Sequence, residues 1–355
     1  MTIYDIVTAP AIASYWETLQ SNTIPYLGTS LFPNRRMVGL KLDWIKGYDQ
    51  LPVALMPSAF DTKPTLRDRG GVDTVSTRMP FFRESMRIGE EDRQQLLTLM
   101  AAGNQYVNAV LDRLFDDATT LIDGANVTPE IMRFELLQTG SIAIASPNAS
   151  GINVNYNYDY DPNNAWRGSN VVALSGADRW SETTAKPIRD ILAIKRQASA
   201  KGVALLRAVV DPYVWGLLLT NAGIREDVYP LASDASLSDA ELKSYLLRKT
   251  GITFTVYEKM YKSLEGVDTA FMKSDRVVFL PASSVGSTYF GTTPEEADLM
   301  SGNVDADVRI VGGGIAVLTK KESLPVNVIT SVSEIVLPSF EGMNSVYVMK
   351  VTAAA

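Results

Sequence analysis

The chain has 355 residues, 46% hydrophobic and 21% charged, a globular composition with enough apolar side chains to bury a sizeable core. It contains no cysteine and no histidine, which removes Cys–His and Ser–His–Asp nucleophilic catalysis, thiolate or imidazole zinc sites, His- or Cys-held haem and every disulfide, and leaves only oxygen ligands for a metal. Lys and Arg number 33 against 40 Asp and Glu, a net charge of −7 that does not suit a nucleic-acid binder. The length suggests about two domains. The start, Met1-Thr2-Ile3-Tyr4-Asp5, carries an acid where an export signal has bases, and no apolar run approaches the ~20 residues of a membrane span. The chain therefore reads as soluble and unexported.

Residues 1–36 pair a short helical pattern (Ile12, Tyr15, Trp16, Leu19) with breakers at Pro25, Gly28 and Pro33. Such a segment is expected to be a loosely docked tail or an arm that packs on a neighbouring subunit. From Met37 to Ile88 the pattern alternates, as in Val38-Gly39-Leu40-Lys41-Leu42-Asp43-Trp44-Ile45 and again from Val72 to Arg78, which predicts a long open hairpin. Its centre, 62–71, holds three bases against one acid. A hairpin this long with few core-forming positions is expected to lean on something else.

Gly89 to Gly124 carries Leu96, Leu99, Met100, Val107, Val110, Leu111, Leu114, Ala118 and Leu121 at three- and four-residue steps, with Glu90-Glu91-Asp92 at its start and Gly124 as a stop. This predicts a spine helix of about 50 Å. Strands are expected over Met132–Ala145 and Ile152–Tyr160. Alternating α and β then follow: a helix over Pro187–Ala200, a buried strand over Leu205–Val210, a helix opened by Asp211-Pro212, and a helix from Ser238 with Glu241 at the capping-box spacing. Further strands are expected at Ile252–Tyr257 and Val277–Leu280, and the runs Val308–Val311, Ile315–Leu318, Val326–Val332 and Ser345–Val351 read as sheet.

Several clusters can be weighed as sites. Asp159-Tyr160-Asp161-Pro162-Asn163-Asn164 opens like a calcium loop, but Asn164 stands where Gly is needed and Asn170 where a bidentate Glu is needed, so it reads as an Asx-rich turn. Gly312-Gly313-Gly314 lacks the Lys-Ser/Thr of a phosphate loop and reads as close-packed or flexible backbone between strands. The acid pairs Glu90-Glu91, Glu295-Glu296 and Asp305/Asp307 could supply a hydrolase dyad; the alternatives are a helix-dipole role for the first and solvated loops for the others. The arginines Arg67, Arg69, Arg78, Arg83 and Arg87 are expected to pair with an acidic patch on a neighbouring subunit, with Trp16 as the arm's contact. No catalytic, cofactor or metal residue is assigned.

The order of elements resembles the HK97-type coat proteins of tailed phages, and most of all the lambda-like major capsid protein E family. The resemblance is carried by Leu51-Pro52-Val53-Ala54-Leu55-Met56 running into Arg67-Asp68-Arg69-Gly70-Gly71, then Arg87 and Glu90-Glu91-Asp92. It continues through Leu136-Leu137-Gln138-Thr139-Gly140 before the Ile152–Tyr156 strand, Trp180 before Pro187-Ile188-Arg189-Asp190-Ile191, and Asp211-Pro212 before Trp215. It implies an α+β fold with an N-terminal arm (1–36), an E-loop (37–88), a P-domain with the spine helix 89–124 and a sheet (89–185), an A-domain (186–330) and a return to the P-domain (331–355).

It also implies a non-enzymatic coat protein that self-assembles as pentamers and hexamers into an icosahedral shell around the genome of a tailed double-stranded DNA phage. With no long helical propiece before the E-loop, a separate scaffolding protein is implied, together with a portal, a decoration protein as an optional partner, weak non-specific contact with packaged DNA, no membrane partner, and assembly in the host bacterial cytoplasm. Lys41, Lys46 and Lys63 are available in the hairpin, but no cross-linking partner is identifiable. The competing readings are an encapsulin-like cargo shell, a tail or neck ring protein, and an acid-pair hydrolase.

Overall fold

The computed structural model describes residues 8–19, 25–46, 73–91, 94, 98, 107–147, 153–231, 235–263, 265–302, 306–323 and 326–353. The expected hairpin centre, with Lys63, Arg67 and Arg69, lies outside the described residues, as do residues 1–7, Asp305 and most of 92–106. The chain forms two compact units. The first holds Met1–Leu42, Ser76–Arg133 and Ser287–Ser339; the second holds Asp43–Val75, Phe134–Gly286 and Phe340–Ala355.

The chain starts with helix α1 (Ala9–Leu19), one turn α2 (Gly28–Leu31) and strand β1 (Asn34–Arg36). Strands β2 (Lys41–Lys46) and β3 (Asp73–Arg78) pair with each other, β4 (Phe81–Ile88) follows, and then the long helix α3 (Val107–Thr139). Next come hairpin β5 (Ser141–Pro147) and β6 (Asn153–Asp159), α4 (Ala165–Asn170), β7 (Val171–Ala173), α5 (Pro187–Ala200), β8 (Arg207–Val210), α6 (Pro212–Thr220), α7 (Ala222–Val228) and α8 (Asp239–Thr250). Strands β9 (Thr253–Val256), β10 (Met260–Lys262), β11 (Asp268–Ala270), β12 (Arg276–Leu280) and β13 (Thr288–Phe290) lead to α9 (Pro294–Ser301). The chain closes with β14 (Asp307–Val311), β15 (Ile315–Ser323), β16 (Val326–Pro338) and β17 (Tyr347–Lys350).

The first unit is built on a six-stranded sheet in the order β1-β13-β16-β15-β14, with β4 also paired to β16. Strand β16 is long enough to pair with β15 from Val326 to Ser333 and with β4 from Val328 to Ile335. Because side chains alternate along a strand, Val328 and Val332 share one face, where they pack with Ile12, Ala13 and Trp16 of α1 and Ala118, Leu121 and Ile122 of α3. Helix α1 is thus docked in its own unit, contrary to the tail-or-arm expectation for these residues. Its apolar face repeats at helical spacing, Trp16 Nε1 donates to Asp123 Oδ1 at 2.8 Å, and Tyr15 Oη donates to Asp116 Oδ1 at 2.8 Å.

Helix α3 does not stop at Gly124. It passes through Gly124 and Pro129 to Thr139, over residues expected to begin a strand. Gly124 has open space around its Cα, so it costs only its propensity, about 1 kcal/mol. The side chains of Asn126 and Thr128 bond back to the carbonyls of Ile122 and Gly124 near the proline. Burial of Met132, Phe134, Leu136 and Leu137 outweighs those local breakers.

The second unit is built on a five-stranded sheet in the order β7-β17-β12-β8-β9, in which β7 runs parallel to β17 and β9 parallel to β8. Ile191 and Ile194 of α5, Val214, Trp215 and Leu218 of α6, and Leu242 and Leu246 of α8 pack with Val277 and Phe279 of β12 and Tyr347 and Met349 of β17. The expected starts hold here. Asp211 Oδ1 accepts from Tyr213 N at 2.8 Å with Pro212 behind it, and Ser238 and Glu241 form the reciprocal capping box. Ser238→Ala is expected to lower the stability of this unit by about 1 kcal/mol in urea unfolding.

The units divide the chain elsewhere than at the boundaries expected from sequence. Residues 287–330, placed within an A-domain of 186–330, join the unit that contains α1 and most of α3, because β13 to β16 complete its sheet with β1 and β4. The end of the chain, 331–355, expected to return to the P-domain, is divided: β16 through Pro338 stays in the first unit, and β17 lies between β12 and β7 in the second.

Candidate assembly site

The residues expected at an interface do not share one environment. Trp16 is 6% exposed and buried in its own unit. Arg78 lies exposed at the end of β3 and Arg87 exposed on β4. Arg83, also on β4, is half exposed, is bound by Glu295 of the same chain and lies 4.9 Å from the Phe81 ring centre.

Glu295 and Glu296 are not in a solvated loop. Thr293-Pro294-Glu295-Glu296 opens α9, with the Thr293 hydroxyl accepting from Glu296 N at 3.3 Å and Pro294 at the first helical position. Both acids are buried. Glu295 is held by Arg83 and by Ser333 Oγ at 2.7 Å, and Glu296 by Arg36 of β1. The local signals for this helix, an N-cap Thr followed by Pro and two acids, stand in the sequence but were not read there.

A second polar group lies inside the first unit. Glu130 Oε1 accepts from Gly28 N at 2.8 Å and its Oε2 from Arg133 Nη1 at 3.1 Å. Arg133 also donates from Nε to Thr288 Oγ1 at 2.8 Å and from Nη2 to Asn34 Oδ1 at 2.7 Å. Glu130 and Arg133 are almost fully buried, and a Cβ at Gly28 would overlap the Glu130 carboxylate. Tyr26 beside this group has its phenol pushed up to about 12, first by burial and then by the charges of Asp123 and Glu130.

Glu334 on β16 belongs to the same region. It is 1% exposed, and neither carboxylate oxygen has a hydrogen-bond partner among the described residues. Burial raises its carboxyl well above the usual range, and the Arg133 charge offsets this only in part. Below about pH 4.5 folded and unfolded chains both keep the proton; above it the unfolded chain releases the proton while the folded one retains it, so stability falls as pH rises toward the folded value. Glu334→Gln is therefore expected to stabilise the protein by about 1–3 kcal/mol at neutral pH and to lose that advantage near pH 4.5. Urea unfolding across that range checks it.

The remaining clusters are accounted for by local structure. Asp159 Oδ1 accepts from Arg167 Nη2 at 2.7 Å, which holds the Asp159 carboxyl below its ordinary value, and Asp161 accepts the backbone N–H groups of Trp166 and Arg167. These carboxylates cap and brace α4. Gly312 and Gly313 take positive φ in the turn between β14 and β15, and a Cβ at Gly314 would strike Phe290. Glu90 and Glu91 are exposed at a helix start, and Asp307 is exposed on β14.

The architecture is shared with solved phage proteins. A phage-related protein from Bordetella bronchiseptica RB50 is 14% identical with a TM-score of 0.54, covering 98% of this chain and 99% of that one. A protein assigned as the capsid protein of an Escherichia coli CFT073 prophage is 14% identical with a TM-score of 0.57 and the same coverage. The fold is thus the HK97-type coat fold. Residues 8–311 match the family profile of phage major capsid protein E, and the chain belongs to that family. It is a coat protein of a tailed phage, self-assembling into the icosahedral head shell of the virion. No curated protein matches the chain.

Proposed function

We propose that copies of this chain meet as pentamers and hexamers through the 37–88 E-loop region, with Arg67, Arg69, Arg78 and Arg87 engaging acidic groups of a neighbouring copy. The observation that carries this reading is the pairing of β2 and β3 with each other and with no other strand among the described residues. A two-stranded ribbon is marginal alone and gains its stability by packing on something else. The surplus of acids in the chain supplies partners for the four arginines. Trp16 and Arg83 serve their own unit and are left out of this interface. The first unit takes the P-domain role and the second the A-domain role.

The chain's role is structural rather than catalytic. In support, Glu295 and Glu296, a pair that sequence offered as a hydrolase dyad, are each neutralised by an arginine. A separate scaffolding protein directs closure, a portal occupies one vertex, a decoration protein is an optional addition, and packaged DNA touches an acidic wall only weakly. Assembly takes place in the host bacterial cytoplasm. No helix among the described residues is long and apolar enough to cross a membrane.

The test is coexpression with the scaffolding protein followed by sedimentation and negative-stain microscopy. The Arg67→Glu/Arg69→Glu variant is expected to give at least about tenfold fewer closed shells, because a pair worth on the order of 1 kcal/mol recurs at every subunit contact. Wild-type shell yields from a folded variant would remove the arginines from the interface.

A further inference from the structure

Strands β1 and β4, with Met37–Leu40 and Met79 next to them, form two roots, and residues of the segment 290–296 touch both. On the entering side Met37 N donates to Phe290 O at 2.9 Å, and on the leaving side Met79 N donates to Leu40 O at 2.8 Å, closing the roots on each other. Gly291 sits where they meet: a Cβ there would lie 3.0 Å from Gly39 O, 2.9 Å from Met79 Cε and 2.8 Å from Ile335 Cγ2. A few residues on, two adjacent carboxylates of one helical turn bind one arginine from each root, Glu296 to Arg36 and Glu295 to Arg83.

The burial of the four partners is unequal. The arginine side chains are 39% and 46% exposed, whereas those of Glu296 and Glu295 are 6% and 9% exposed. Water and solutes can reach the arginines, but the acids cannot lose them in place without leaving buried, uncompensated charge. Glu295 keeps only Ser333 Oγ, and Glu296 Oε2 already has no partner among the described residues. Opening of either root therefore requires the first turn of α9 to move toward water with it.

We propose that the 293–296 turn is a clamp that couples the two hairpin roots to α9, so that β1, β4 and α9 are held or released as one element. Arg36 and Arg83 act as positioning residues. Arg36 also reaches Gly313 O at 3.3 Å, which ties the β14–β15 turn to the same element. The clamp gives the subunit a discrete way to hold or release the two roots together.

Amide hydrogen exchange on the full-length, unassembled chain tests the coupling independently of shell formation. In Arg36→Ala, exchange is expected to rise about tenfold, equivalent to ~1.4 kcal/mol, over residues 34–42, over 294–301 and over 76–83 together, while 187–200 in the second unit stays unchanged. Arg83→Ala is expected to give the same three-part response, and Arg36→Lys, which keeps the charge and most of the packing, to give a smaller one in the same segments. Faster exchange confined to the root that carries the substitution, with α9 unchanged, would overturn the proposal. So would a uniform rise across both units.

Discussion

Arg133→Ala is expected to cost the first unit about 3–5 kcal/mol, enough to unfold it under mild conditions. The side chain is 3% exposed and donates to Glu130 one turn earlier on α3 and, far away in sequence, to Asn34 at β1 and Thr288 at β13. Alanine takes the Arg133 cation away from the buried Glu130 carboxylate and removes a charge that offsets the burial of Glu334. A second change, Glu130→Gln, is expected to return part of the loss, because the worst consequence is an unpaired charge rather than a missing contact. Urea unfolding of the single and double variants, followed by exchange at α3 and β16, measures both. A loss below about 1 kcal/mol for Arg133→Ala would mean that water reaches the site and the pair is not truly buried.

The sequence made some parts of this fold legible and hid others for definite reasons. Helix α5 and the starts of α6 and α8 are coded locally, by a proline at the first turn, an Asp cap and a Ser–Glu capping box, and they stand where those signals put them. The end of α3 is not, because Gly124 and Pro129 are genuine breakers whose cost is met by apolar contacts with residues far along the chain. For α1 the spacing of Ile12 and Trp16 was visible, but the surface that buries it, β14 and β15, begins some 300 residues later. The polar group of Glu130, Arg133, Asn34, Thr288 and Glu334 has no linear signature, since four separate segments supply it. Arg83 shows the opposite failure: a basic cluster suggested an outside partner, while an acid 212 residues away in the same chain had already taken it.

Trp166→Ala is expected to cost the second unit about 3–5 kcal/mol, and Trp166→Phe clearly less, about 1–2 kcal/mol. Trp166 is 1% exposed, stands edge-on to Phe340 at 6.4 Å between ring centres, and roofs Gly140, whose φ of +73° and missing Cβ let the indole approach. Alanine would leave a cavity beside the Gly140 turn at the end of α3. Phenylalanine keeps most of the ring contact and loses the Nε1 donation to Val346 O at 2.9 Å. That carbonyl still accepts from Asn170 Nδ2 at 3.0 Å, so it is not left unsatisfied. The gap between the two variants therefore separates packing from hydrogen bonding, and equal losses in urea unfolding would assign the residue's weight to the bond instead. Because Val346 leads directly into β17, which lies between β7 and β12, a loosened Trp166 is expected to speed exchange along β17 before it reaches the helices on the sheet.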